Sequence, residues 1–277
     1  MESLKETLQR ERFSFKKKFG QNFISDGNLL SAIVEDAGVT ATDAVIEIGC
    51  GGGTLTAELC KAAQKVVGYE IDRDLRPVLS ARLAEFDNVE LRFADFMREP
   101  FSLAEAGLSS YIVVANLPYY ITSPAILKFT EESSVVTRLV VMVQEEVAER
   151  LVAAPGTKEY GSITAAVAAR GEAKITRRVP RKMFYPVPNV DSAVVRIDFT
   201  RRYDARTAKN FRAVLRAAFS ARRKTLCNNL MQSFGLSRAR AEEVLLRCGL
   251  DPMVRGETLS YVEFLRIAEE LFPAGNA

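Results

Sequence analysis

Five short apolar runs recur along the first half of the chain: "AVIEI" at 44–48, "KVVGYE" at 65–70, "VELRF" at 89–93, "YIVVA" at 111–115 and "RLVVMV" at 138–143. They are β-branched and nearly continuous, a pattern that suits strands covered on both faces, and their spacing leaves room for crossover helices. Together they predict an α/β fold on a doubly wound, mostly parallel sheet. After the helical stretch "YGSITAAVAAR" (160–170), "EAKITRRV" (172–179) and "SAVVRIDF" (192–199) alternate more openly around the proline-rich "PRKMFYPVPNVD". These two suit an antiparallel pairing at one edge of the sheet.

From about residue 207 the period changes to that of a helix. Phe211, Val214, Leu215, Ala218 and Phe219 share one stripe, with arginines on the other side. Ser237 and Ser260 read as helix N-caps, the second with Glu263 completing a capping box, and Gly249 reads as a helix stop. The expected organisation is a large domain over residues 1–200 and a small all-helical domain over 201–277, within a length and an apolar content of 48% that support both.

The chain contains no histidine, which removes Ser/His and Cys/His nucleophilic arrangements. Its four cysteines form no C-x-x-C pair, so neither a disulfide framework nor a zinc site is expected, and no metal is assigned. The N-terminus, "MESLKETLQRERFSFKKKFG", is charged, and no segment has the apolar length to span a bilayer. A cytoplasmic protein is expected. Between Arg170 and Lys224 sixteen Lys or Arg stand against four Asp or Glu, a net +12 in a chain of net +3, which leaves −9 elsewhere. So concentrated a basic segment reads as a surface for a polyanion.

"VIEIGCGGGTLTAEL" is a strand entering a glycine-rich turn and then a helix. Glycines at 49, 51 and 53 allow close backbone approach to a ligand, and the helix beginning near Thr54 offers free amide donors. A dinucleotide fingerprint G-x-G-x-x-G fails in both registers, meeting Thr54 counted from Gly49 and Thr56 counted from Gly51. The turn resembles instead the S-adenosylmethionine loop of Rossmann-like methyltransferases. Glu70, twenty-one residues after Gly49 at the end of the second strand, can accept the ribose hydroxyls of an adenosine, and Ile71 can pack on the adenine. Asp95 and Phe96, after the third strand, can receive the adenine amino group and cover the ring.

The fourth strand ends in Asn116-Leu117-Pro118-Tyr119. The lone pair of an exocyclic base amine is delocalised into the ring, so that nitrogen is a poor nucleophile. Acceptors on the Asn116 side-chain oxygen and the Leu117 carbonyl favour a more tetrahedral nitrogen whose lone pair faces an incoming methyl. Pro118 restricts the loop, and Tyr119 supplies an aromatic face for a base removed from its stack. An ordinary Asn-Pro turn with tyrosines as core is the alternative for the tetrapeptide alone. Behind this glycine turn the chemical reading takes precedence.

The chain resembles, over nearly its whole length, the ribosomal RNA adenine dimethyltransferases of the KsgA type. The resemblance is carried by "KKKFGQNFISD" (16–26), "EIGCGGGTLT" (47–56), "GYEIDRDL" (68–75), "ADF" (94–96), "ANLPYYIT" (115–122), "VQEEVAERLVA" (143–153), "YGSIT" (160–164), "FYPVPNVDSAVV" (184–195) and "AFSARRKTLCNNL" (218–230). It implies a seven-stranded, Rossmann-like methyltransferase sheet with an antiparallel edge strand and a helical C-terminal domain. It also implies S-adenosylmethionine as cofactor and two adjacent adenosines near the 3′ end of small-subunit rRNA as substrate, methylated during ribosome assembly. Carried onto these positions, Asn22 and Ile24 would contact the methionine end of the cofactor, with Gly49, Glu70, Asp95 and Asn116 completing its site beside Gly51, Ile71 and Phe96 read from the residues above. Phe184 would lie against the target adenine opposite Tyr119, or else anchor its proline-rich loop. Arg222, Arg223 and Lys224 would face RNA phosphates. Two positions depart from the family's usual residues: Cys50 stands where many relatives have proline, and Tyr120 where some have asparagine.

Two other functions fit parts of the pattern. One is the antibiotic-resistance branch, which modifies an adenine of large-subunit rRNA; "FYPVPNVDS" and "ARRKTLCNNL" favour the small-subunit branch. The other is a non-catalytic RNA-binding assembly factor, against which the intact glycine turn, Asn116 and Tyr119 argue. The expected partner is the assembling small subunit, and the expected state is a monomer.

Overall fold

The computed structural model describes residues 4–16, 19–101, 107–133 and 135–273. The chain forms two compact units: one comprises the chain up to Ala148 together with Ala173–Phe199, the other Glu149–Glu172 together with the chain from Thr200 onward. The sequence-based boundary at residue 200 therefore differs at one segment. Residues 149–172 join the second unit because their apolar groups, Tyr160, Ile163 and Val167 among them, are buried, and Tyr160 bonds within that unit.

The chain forms β1 (Phe23–Ile24), β2 (Ala44–Ile48), β3 (Lys65–Tyr69), β4 (Val89–Arg92), β5 (Tyr111–Asn116), β6 (Val136–Gln144), β7 (Gly171–Val179), β8 (Phe184–Tyr185) and β9 (Ser192–Phe199), all in the first unit except the first two residues of β7. Seven of these make one sheet in the order β4-β3-β2-β5-β6-β9-β7. Strands β2 to β6 pair in parallel, and β9 runs antiparallel to β6 with β7 beyond it. Every residue of the β5 run from Tyr111 to Ala115 is buried, as a strand covered on both faces requires. The chain reverses direction across the sheet at β2, with β3 on one side and β5 on the other. Ligands of open α/β sheets bind beyond the strand ends at such a reversal.

Helices α1 (Leu4–Arg10), α2 (Gly27–Ala37), α3 (Thr54–Ala62), α4 (Arg76–Arg82) and α5 (Thr122–Glu132) accompany the sheet. Leu30 and Ile33 of α2 and Leu55 and Leu59 of α3 share a core with Val45, Val66, Ile112 and Val114. Helix α2 is defined at both ends: the Asp26 carboxylate accepts the Leu29 amide at 2.9 Å, and Gly38 closes it with φ +59°. Its terminal carbonyls then receive two guanidiniums. Arg138 donates to Ala37 at 2.6 Å and Arg196 to Asp36 at 3.1 Å, and both arginines also bond Asp198. Cations at a helix C-terminus complement its dipole, so this network pins α2 to the antiparallel edge.

The second unit contains α7 (Ser162–Arg170), α8 (Ala205–Ala218), α9 (Leu226–Phe234), α10 (Arg238–Arg247) and α11 (Tyr261–Leu271), while α6 (Glu145–Leu151) spans the boundary of the two units. Ser237 caps α10 and Ser260 with Glu263 forms the capping box of α11, both as the sequence predicts. Gly249 adopts φ +74° just beyond α10, and its amide donates to Leu246. Tyr160, 2% exposed, donates its hydroxyl to the Leu259 carbonyl at 2.7 Å. No helix among the described residues is long and apolar enough to cross a membrane.

Asn229, in the "CNNL" stretch, is fully buried and donates to the carbonyls of Ala218 and Ala221 at 3.0 and 3.2 Å. It closes the turn that carries Arg222 to Lys224, so its role is internal. Asn229→Ala strands both carbonyls and should lower stability by about 2 kcal/mol. Thermal and urea unfolding of the variant checks this, and an unshifted midpoint would show that the turn holds without it.

Candidate active site

The C-terminal ends of β2, β3, β4 and β5 open on one cavity. After β2 the chain turns through Gly49, Gly51 and Gly53, with φ of +79°, +54° and +75°, a region where a side chain is strained. Gly51 is also held by contact, because a Cβ there would lie 2.9 Å from the Phe23 ring. Thr54, the first residue of α3, donates its hydroxyl to the Ile24 carbonyl at 2.8 Å and ties the turn to β1.

Glu70, 6% exposed, grips this turn. One carboxylate oxygen accepts the Gly51 amide at 2.8 Å and the other the Asp72 amide at 2.8 Å. Burial pushes its pKa up, and these backbone donors oppose the shift. Each oxygen keeps a second lone pair, so the carboxylate can still accept from a ligand hydroxyl.

Asp72 continues the chain of contacts and is a residue that the sequence did not single out. It accepts Lys16 at 2.6 Å and Gln21 at 2.8 Å; Lys16 also reaches Asp74 at 2.5 Å and donates its amide to Gln21 at 2.9 Å. Burial alone would raise the Asp72 carboxyl, but Lys16 and Gln21 hold it below the usual range. The strap thus fixed carries Phe19 to Asn22 along the cavity wall. The signal lay in the stretches "KKKFGQNFISD" and "GYEIDRDL", whose contact across 56 residues no spacing rule reports.

Asn116, at the end of β5, donates its side-chain amide to the Asn22 carbonyl at 2.9 Å. A carbonyl can only accept, so the amide nitrogen must face Asn22, which aims the Asn116 oxygen away from it. The amide is thereby oriented as an acceptor for a partner in the cavity. Pro118 holds φ at −55°, and its carbonyl accepts the Ile121 amide at 3.1 Å and the Thr122 hydroxyl at 3.3 Å. The Tyr119 hydroxyl bonds Ser192 at 3.2 Å, which anchors the ring from its far end.

All the residues assigned from sequence to catalysis and cofactor line this one cavity: Asn22, Ile24, Gly49, Gly51, Glu70, Ile71, Asp95, Phe96, Asn116, Leu117, Pro118, Tyr119 and Phe184. Their exposures divide them. Ile71 is 44% exposed and free to cover a ligand, whereas Phe96 is 3% exposed, stacked on Phe129 at 5.3 Å and edge-on to Tyr69. Phe184, 4% exposed, pairs with Ile24 across β1 and β8 and belongs to the core as well as to the cavity lining, which fits a loop-anchoring role. Asp95 caps the turn that follows it by accepting the Met97 amide at 3.0 Å.

Arg222, Arg223 and Lys224 lie in the second unit, all exposed. Arg222 donates to the carbonyls of Lys158 and Tyr160 at 3.1 and 3.3 Å, which gives it an internal task, while Lys224 donates to a neighbouring side chain, Gln232, at 3.1 Å. Cys50 is 4% exposed, packs where a Cβ on Gly68 would meet its sulfur, and has its thiol pKa raised well above the usual value by burial. A redox role does not fit such a group.

The sheet, the reversal at β2 and the glycine turn gripped by an acid define a Rossmann-like methyltransferase that uses S-adenosylmethionine. The strained glycines and the acid that grips them form a cradle that fits that cofactor. A model of the ribosomal RNA adenine dimethylase family matches residues 12–272. The chain is 45% identical to the ribosomal RNA small subunit methyltransferase A of Geobacillus thermodenitrificans (strain NG80-2), over 97% of this chain and 95% of that one. It is 44% identical to the protein of the same name from Clostridioides difficile (strain 630), over 94% and 92%. Among solved structures it is similar to the 23S rRNA methyltransferase ErmE, with a TM-score of 0.68, 27% identity and coverage of 90% and 99%. A dimethyladenosine transferase from Plasmodium falciparum shares the fold with a TM-score of 0.74 at 24% identity, covering 88% and 95%. The chain belongs to the ribosomal RNA adenine dimethylase family.

Glu47 is a cavity residue that the sequence reading left unassigned, although an acid inside the apolar run "VIEI" was its signal. It is 1% exposed, one of its oxygens has no hydrogen-bond partner, and burial pushes its pKa up to about 8 from 4.5. A carboxyl raised on folding contributes stability that is fully present below pH 4.5 and is lost as pH rises through about 8. Glu47→Gln should therefore gain on the wild type across this window, by at most about 1.4 kcal/mol per pH unit. Parallel unfolding midpoints of the two proteins from pH 5 to 9 give the difference curve; a flat one would mean Glu47 ionises normally.

Proposed function

We propose that this protein transfers methyl groups from S-adenosylmethionine to the N6 nitrogens of two adjacent adenosines near the 3′ end of small-subunit rRNA, acting as a monomer on an assembling subunit in the cytoplasm. The observation that carries the chemistry is the Asn116 amide, fixed by the Asn22 carbonyl so that its oxygen is presented in the same cavity as the glycine turn. Near-full-length relatives at 42–45% identity, all named ribosomal RNA small subunit methyltransferase A, support the small subunit over the large one as substrate.

When bound, the cofactor supplies a methyl on a positively charged sulfur, ready for in-line displacement. The residues of the chain supply position and hydrogen-bond acceptors. Gly49 and Gly51 let the backbone approach the donor, and Glu70 accepts its ribose hydroxyls with the lone pairs not spent on Gly51 and Asp72. Ile71 and Asp95 flank the adenine. The Asn116 oxygen and the Leu117 carbonyl accept the two amine hydrogens of the target base, which turns the nitrogen lone pair toward the methyl. Tyr119, braced by Ser192, stacks on that base. The amine nitrogen becomes acidic as it is alkylated, so water can take its proton and no imidazole is required.

Asn116→Ala should lower turnover on small subunits lacking the modification by at least about 100-fold, the scale on which a positioned hydrogen-bonding group acts. Cofactor affinity by calorimetry should change far less. Near-normal turnover would refute the role of Asn116, and methylation of unmodified large subunits in place of small ones would refute the substrate.

In the second unit, Arg222, Arg223 and Lys224 are assigned to phosphates, and Arg223 and Lys224 are the two whose cations do not bond the Lys158 and Tyr160 carbonyls. Reversing both charges should reduce the slope of log K against log salt for rRNA binding by about 0.7–0.9 for each phosphate no longer neutralised. Arg222→Ala should instead lower stability, because it abandons the Lys158 and Tyr160 carbonyls. Filter binding over a salt series separates the two; an unchanged slope in the double reversal would clear the turn of any role at phosphates.

A further inference from the structure

Two aromatic residues that line the cavity are each followed in the chain by an exposed tyrosine. Tyr119 precedes Tyr120, which is 60% exposed, and Phe184 precedes Tyr185, which is 48% exposed. The inner members have structural partners, Ser192 for Tyr119 and the core for Phe184. The outer ones are both exposed. Tyr120 stands at the cavity mouth beside Gly20, its ring 3.9 Å from where a Cβ of that glycine would lie. Tyr185 leans edge-on against Phe15, with centroids 5.4 Å apart, and Phe15 is itself 36% exposed. Lys182 and Arg181, both exposed, lie a few residues before Tyr185.

In strand β8 successive side chains point to opposite faces, so Phe184 turned toward the cavity sends Tyr185 outward, about 3.8 Å along the backbone. A base drawn into the cavity leaves the stack of its own strand, and the bases on either side of it lose a stacking partner at that moment. Exposed aromatic faces beside cations are the sequence-tolerant means of holding such bases. We propose that Tyr120 and Tyr185 are stacking platforms for the unpaired bases flanking the target adenosine in single-stranded RNA. This inference rests on the methyl-transfer reading above and extends it from the reacting base to its neighbours.

The test uses the full chain with two probes, a fluorescently labelled oligoadenylate and small subunits lacking the modification. Tyr120→Ala and Tyr185→Ala should each weaken oligoadenylate binding and raise KM for the subunit by roughly 5- to 150-fold, the range of one base-on-ring stack. Tyr→Phe at either position should restore both, since the ring suffices. Calorimetric affinity for S-adenosylmethionine and the unfolding midpoint should stay at wild-type values, and the salt slope of binding should not move because every phosphate keeps its cation. Unchanged RNA binding and KM in both alanine variants would overturn the platforms. A matching loss of cofactor affinity in Tyr120→Ala would overturn its assignment in favour of a cover over the donor. A wild-type protein that methylates neither ribosomal subunit would overturn the function proposed above, and the platforms with it; active wild type with unaffected variants overturns the platforms alone.

Discussion

The site depends on a circuit of hydrogen bonds that begins at the Glu70 carboxylate. Glu70 joins the glycine turn to Asp72, Asp72 joins Lys16 and Gln21, and the strap they fix ends at Asn22, whose carbonyl orients Asn116. Separate stretches of sequence are thereby referred to one another around a single cavity. The arrangement uses backbone amides and a backbone carbonyl at three of its joints, and such groups cannot rotate out of place as free side chains can. Preorganisation of this kind matters for a displacement whose rate is set by geometry.

The double duty of Glu70 follows from burial. An isolated ionised carboxylate at 6% exposure is costly, and the two backbone donors offset part of that cost. Glu47, on the neighbouring strand, has one oxygen with no hydrogen-bond partner, and burial pushes its pKa up as well, to about 8. Its register partner in β3 is Gly68, two residues before Glu70. Burial thus raises both of these neighbouring acids, and at Glu70 the amides of Gly51 and Asp72 work against the shift.

Most of the sheet was legible in the sequence because β2, β3, β5 and β6 are largely buried, which writes them as nearly continuous apolar runs from "AVIEI" to "RLVVMV"; β4, read from "VELRF" as covered on both faces, is an edge strand with no buried residue. The site residues were legible for a related reason: each sits where a run stops, at Gly49, Glu70, Asp95 and Asn116, so strand ends and site coincide. What could not be read was partnership across the chain. Lys16 and Asp72 stand far apart in sequence, and residues 149–172 look like one more crossover until their burial in the helical unit is seen. Phe96 was assigned to the ligand by residue type and place, and Phe184 and Arg222 by the resemblance, whereas burial and carbonyl partners give each of them a structural task as well.

Position 50 illustrates why a change inside the glycine turn can be absorbed. Gly49 and Gly51 carry the positive φ values and Gly51 the close approach to Phe23, so the residue between them is free of both demands. Its side chain has another neighbour: a Cβ on Gly68 would lie 2.5 Å from the Cys50 sulfur, and the thiol reaches the Tyr69 carbonyl at 3.6 Å. The cysteine therefore fills the space that a glycine in β3 leaves open. Packing at 50 and 68 is coupled, and the cysteine is fitted against β3 while Gly49 and Gly51 on either side keep the positive φ values that the turn requires.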